Sequence, residues 1–160
     1  MDRRSNRAYV SKPLPEQDLH TILEAGRQAP SANNRQPWHF VVVRDPDQKR
    51  KVAEACCRQT WMADAGVIIA GLGKPKCPGY QVDVAIAMQN MILAATGLGY
   101  GTCWIGAFEQ KQVKGILGVP DDLEVVALTP LGVAADRPEA RQRQPMSEVA
   151  SLDRHGQRLV

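Results

Sequence analysis

The chain has 160 residues, with 20 Lys or Arg against 17 Asp or Glu for a net charge of +3. That length suits one domain able to bury roughly 68–70% of its unfolded surface, and the charge is too mild to argue for nucleic acid. With aromatics at only 5%, the interleaved rings of a single-strand binder are missing as well.

No uninterrupted apolar run nears the ~18 residues of a membrane span, the longest candidate being broken by Gln89 and Asn90. Met1-Asp2-Arg3-Arg4 has no apolar core behind it, so no export signal is expected. Four cysteines in such a chain read as reduced thiols of a cytoplasmic protein.

Residues 1–10 are basic, with Ala8-Tyr9-Val10 as the one apolar patch. A basic terminus reads as a solvated tail. Arginine forks equally suit a phosphate, which they grip bidentately. Pro15 with Glu16 and Asp18 opens a helix, and Leu19, Ile22, Leu23 and Gly26 carry it over Gln17–Ala29, with His20 on its polar side. Pro30 and Pro37 then bracket a loop crowded with Ser31, Asn33, Asn34, Arg35 and Gln36. Such a loop donates and accepts at once, as the imide and carbonyl edges of a planar heterocycle require. A plain helix-to-strand connection would have the same composition.

Trp38–Arg44 reads as a strand buried on both faces, Gln48–Arg58 as a helix, and Gly66–Leu72 as a second buried strand. Gly73–Tyr80 is a loop. Val82–Thr96 is apolar nearly all round, which predicts a helix through the core, interrupted by Asp83, Gln89 and Asn90. A strand over Thr102–Ile105, a helix over Glu109–Leu117 and a strand over Glu124–Thr129 follow. From Ala134 the chain is polar and aperiodic, an extended arm.

Several chemistries lack their residues. Gly97-Leu98-Gly99-Tyr100-Gly101 follows a helix and has the wrong spacing for a dinucleotide fingerprint. Cys56, Cys57, Cys77 and Cys103 have no metal-ligand spacing, so no metal site is expected. Cys56 and Cys57, adjacent on a predicted helix, point about 100° apart and read as packing thiols. The three histidines stand beside no serine or cysteine motif.

Four motifs occur in a recognisable order: Arg3-Arg4-Ser5-Asn6-Arg7, the loop Pro30–Phe40, Asp83–Asn90, and Gly99–Gly106. Together, over roughly Arg3 to Val149, the chain resembles the nitroreductase family of flavin enzymes. The resemblance implies an α+β sandwich in a single domain, 1–160, with a mixed sheet around a long central helix. It also implies a homodimer with flavin sites at the interface and a C-terminal arm, about 134–160, exchanged between subunits. The implied cofactor is FMN, with NADH or NADPH as transient electron donor.

By the same resemblance Arg3, Ser5 and Arg7 contact FMN, with Arg4 donating too. Pro30, Ser31, Ala32 and Asn34 of the other subunit line the ring and ribityl chain, supported by Gln36. Ile105 and Gly106 bring main-chain donors to the ring, and Arg141 and Arg143 complete the phosphate site. No side chain is required for the chemistry itself, which the flavin carries. The implied reaction passes hydride through flavin N5 to a nitroaromatic, quinone or other small acceptor in two half-reactions on one open face. The short segment between Leu72 and Asp83 leaves little room for a lid, and no family-type polar contact is visible between Lys49 and Thr60. A flavin-binding or sensory protein with little turnover shares every binding residue, and other reductive flavin chemistry, such as dehalogenation, shares the fold.

Overall fold

The computed structural model describes residues 3–159. Its elements are β1 (Tyr9–Val10), α1 (Glu16–Arg27), β2 (Trp38–Val43), α2 (Pro46–Ala55), β3 (Val67–Gly73), α3 (Tyr80–Gly97), β4 (Gly101–Thr102), α4 (Gln110–Leu117), β5 (Glu124–Ala134) and α5 (Met146–Val149). The sheet runs β1-β5-β3-β2, with β4 also on β5. Every ladder between these strands is antiparallel, and the bridge from Ser5 to Thr102 is the one parallel pairing among the described residues, so the sheet is mixed by that contact.

Alternation along β3 feeds two cores. Val67 and Ile69 face α1 and α3, packing with Leu19, Ile22, Val84, Met88 and Met91. Ile68, Ala70 and Leu72 face α2 and α4 with Val52, Cys56, Met62 and Val113. On β5 a bulge opposite Gly71 and Leu72 shifts the register, so Val125 joins the α2 side while Ala127 joins the α3 side.

α3 lies close on β3 because the strand offers it glycines. A Cβ at Gly73 would sit 2.4 Å from the Tyr80 ring, and one at Gly71 would sit 2.9 Å from Met88 Sδ. We expect Gly73→Val to cost about 1–3 kcal/mol through overpacking, seen as a lower midpoint in denaturant. An unchanged midpoint would mean that α3 has room to lift.

Six elements differ from the sequence expectation, two of them being β1 within the basic terminus and the short helix α5 within the arm read as extended. β2 is an edge strand, and Phe40, Val41 and Val42 are only half-buried instead of buried on both faces. α2 stops at Ala55, because Cys57 and Arg58 turn left-handed at φ 54° and 57°; Cys56 is buried and Cys57 exposed. The strand expected over Thr102–Ile105 shrinks to Gly101–Thr102 plus an isolated bridge from Ile105 to Leu128. β5 continues past Thr129 to Ala134 through Pro130. Proline is tolerated there because it falls between the Thr102–Leu131 pairing and the Ile105–Leu128 bridge, where the ladder on that side is interrupted.

Candidate functional site

Residues 3–7 lie extended along β4, with Ser5 paired to Thr102 and the Asn6 amide donating to the Thr102 carbonyl at 2.9 Å. Extended backbone sends successive side chains to opposite sides. Arg3, Ser5 and Arg7 therefore share a side, and Arg3 Nη1 lies 3.5 Å from Ser5 Oγ. Their common neighbour is the Cys103 thiol, which burial pushes up while Arg7, Ser5 and Arg3 pull it back down. Arg4 does not join them. It turns to the other side, where it lines a separate hollow with Asn6, Thr96, Tyr100 and Arg137 and donates to the Arg3 carbonyl at 3.0 Å.

The chain then runs from β4 through Cys103 and Trp104 to Ile105 and Gly106. Ile105 is buried, and its N–H donates to the Leu128 carbonyl at 2.9 Å. That amide is spent on the sheet, so the expected pair of main-chain donors reduces to Gly106. Gly106 is exposed, and no hydrogen bond among the described residues uses its amide. Trp104, just before it, stays 40% exposed.

The loop between α1 and β2 is held from inside. Ser31 Oγ accepts from the Gln36 amide at 2.9 Å, and Gln36 Nε2 donates to Asn34 Oδ1 at 3.1 Å. The Ala32 amide donates to Asp83 Oδ1 at 3.2 Å, which ties the loop to the first turn of α3 through a buried carboxylate. Asn33, Asn34 and Gln36 all take left-handed backbone, at φ 52°, 55° and 48°. Each such residue costs on the order of 1–3 kcal/mol, and such strain gathers at ligand-binding segments. Pro30, Ala32, Asn34 and Gln36 are exposed, and Ser31 is half-buried.

One chain thus carries the expected site in two pieces. Asp83, at the start of α3, anchors the loop; Arg3, Ser5 and Arg7 lie near β4, just past the other end of α3. About 20 Å of helix separates them. Between them α3 exposes an apolar stripe, Val82 at 62%, Ile86 at 37% and Leu93 at 52%. The same face, with Ala85, Gln89, Asn90 and Trp104, lines a hollow of about 460 Å³. Arg141 and Arg143 stand exposed in the arm beyond β5. The arm's root is fixed where Asn6 Nδ2 donates to the Asp136 carbonyl at 3.0 Å and the Ala135 amide to Ala8 at 3.0 Å.

The nitroreductase family model matches residues 1–67 and 55–133. The chain belongs to the nitroreductase family. An NADH dehydrogenase of Thermus thermophilus is 33% identical over 187 residues, covering 93% of this chain and 91% of its own length. Among solved structures, a nitroreductase family protein from Clostridium novyi NT superposes with a TM-score of 0.80 at 33% identity, covering 98% of this chain and 92% of that one. The NADPH:FMN oxidoreductase from Vibrio harveyi, complexed with NAD+, gives 0.88 at 26% identity, covering 96% and 75%.

Two further residues, Asp83 and Trp104, lie beside the expected ones. Asp83 holds the strained loop, a buried acid in an apolar helix being its only signal. Trp104 stands exposed beside Gly106, and nothing in the local sequence distinguished it from a core residue.

Proposed function

We propose that the chain is a cytoplasmic, homodimeric FMN-dependent oxidoreductase that takes electrons from NADH or NADPH and reduces a small acceptor such as a nitroaromatic or quinone. The observation that carries this is the division of the site between the two ends of α3, with an uncovered apolar helix face between them. A two-fold axis that packs two such faces antiparallel sets the Pro30–Gln36 loop of one copy beside Arg3, Ser5 and Arg7 of the other. The Vibrio harveyi relative, named for FMN and holding NAD+, supports the same pair of cofactors. All four cysteines are free thiols, which suits a reducing compartment.

The residues present fit the flavin. Arg3 and Arg7 supply planar forks for a phosphate dianion, and the Ser5 hydroxyl adds a donor. Pro30, Ser31, Ala32 and Asn34 of the second copy line the ring and ribityl chain, with Gln36 bracing Asn34. The Gly106 amide serves the polar edge of the ring, and a fixed donor there favours the added negative charge of reduction. When bound, FMN supplies the redox chemistry, accepting hydride from NADH or NADPH and returning it to the acceptor.

The arm belongs to the same design. β2 is an open edge strand, and Met146, Val149 and Leu152 of the arm are exposed apolar residues in search of cover. Crossing to the second copy buries them and carries Arg141 and Arg143 to its phosphate site. Because one open face serves donor and acceptor in turn, initial rates at varied NADH and acceptor should give parallel double-reciprocal lines. Converging lines would require both substrates bound together and would contradict the shared face.

A further inference from the structure

We infer that Trp104 is a stacking residue for the flavin ring: its indole forms the aromatic wall of the hollow against α3, an inference that rests on the FMN reading above. Three observations lead there. Trp104 is the only aromatic among the exposed large hydrophobic residues described, 40% open to solvent, although an indole buries more apolar area than any other side chain when covered. It is placed by its neighbours on both sides, since Thr102 pairs with Ser5 and the Ile105 amide is bonded to Leu128. The ring therefore projects from a fixed backbone next to the free Gly106 amide, its Nε1 3.6 Å from where a Gly106 Cβ would lie.

The hollow it closes has the chemistry of a planar heterocycle's seat. Val82, Ala85 and Ile86 supply apolar surface and Gln89 brings an amide group, while Asn90 also lines the hollow with its Nδ2 donated to the Ala25 carbonyl at 3.3 Å. Its volume of about 460 Å³ falls in the range of small-molecule sites. It also lies on the face that the second copy covers, so a ring held there sits at the interface, as the divided site demands. Stacking on an aromatic side chain holds a heterocyclic base through contact of π-faces, without any hydrogen-bond code.

Stacking has a signature that packing lacks. An indole against an isoalloxazine quenches its emission by donating an electron to the excited ring and recovering it, whereas phenylalanine stacks without quenching. FMN is titrated into the full-length wild-type protein, Trp104→Phe and Trp104→Ala, reading flavin emission and dissociation constant. The wild type should hold FMN in a strongly quenched state. Trp104→Phe should keep the affinity within about threefold while emission recovers, and Trp104→Ala should lose about tenfold or more in affinity with emission recovered. FMN bound equally tightly and equally quenched in all three proteins would overturn the role of Trp104 and leave the flavin reading intact. A wild type that takes up no FMN would overturn both.

Discussion

Leu93→Arg is expected to yield a folded monomer that has lost its FMN. Leu93 lies on the exposed stripe of α3 with Val82 and Ile86, 52% open, and is outside the lining of the hollow against α3. In a two-fold interface each substitution appears twice, facing its own image or a near neighbour. Burying an unpaired charge costs about 3–5 kcal/mol, so each copy brings a penalty that opposes association. Sedimentation velocity should show the monomer, and the circular dichroism of the sheet and helices should persist, because both cores lie on the other side of α3. FMN affinity should fall at least about 100-fold, since each copy then keeps only half of each site. A variant that stays dimeric would show that another surface joins the copies. A monomer that binds FMN as tightly as wild type would show that one chain closes the site by itself.

Arg3→Glu combined with Arg7→Glu is expected to abolish retention of FMN while leaving riboflavin binding nearly unchanged. Both side chains share one side of the extended segment with Ser5, whose Oγ lies 3.5 Å from Arg3 Nη1. Charge-assisted hydrogen bonds contribute about 1.5–3 kcal/mol each, and two of them amount to roughly a 100-fold change in affinity or more. Riboflavin lacks the phosphate and therefore reports the ring site alone. Equal loss of both flavins would mean that the substitutions disturb the ring site or the fold. Equal retention of both would place the phosphate elsewhere, with Arg141 and Arg143 of the crossing arm as the next pair to reverse.

Much of the framework was legible because it follows periodicity. The apolar run Gly66–Leu72 corresponds to β3, Val67–Gly73, and the segment apolar nearly all round, Val82–Thr96, to α3, Tyr80–Gly97, with Asp83 at its first turn. Pro30 and Pro37 bracketed the loop correctly. The misreadings have one physical theme, which is that composition does not say what covers a surface. β2 looked like an interior strand because Phe40–Val43 is uniformly apolar, yet it stands at the sheet edge. α3 looked wholly buried for the same reason, yet one face is open in the single chain.

What the sequence does not show of the site residues is strand pairing. No local signal told that residues 3–7 would lie extended along β4, and that alignment alone separates Arg4 from Arg3, Ser5 and Arg7. The Ile105 amide is committed to Leu128, a pairing that no local pattern announces. The left-handed turn at Cys57 and Arg58 carries no glycine or asparagine to announce it, so the helical pattern runs on to Arg58 although α2 ends at Ala55.

The most direct test of the central claim is the visible spectrum of the purified full-length protein, followed under anaerobic conditions as NADH and then NADPH are added. A flavoenzyme of the kind proposed is yellow, or becomes so with added FMN, and at least one of the two nucleotides bleaches it within seconds. Exposure to a quinone or nitroaromatic should then restore the colour. A protein that stays colourless with FMN in excess, or a yellow one that neither nucleotide bleaches, would contradict the proposal.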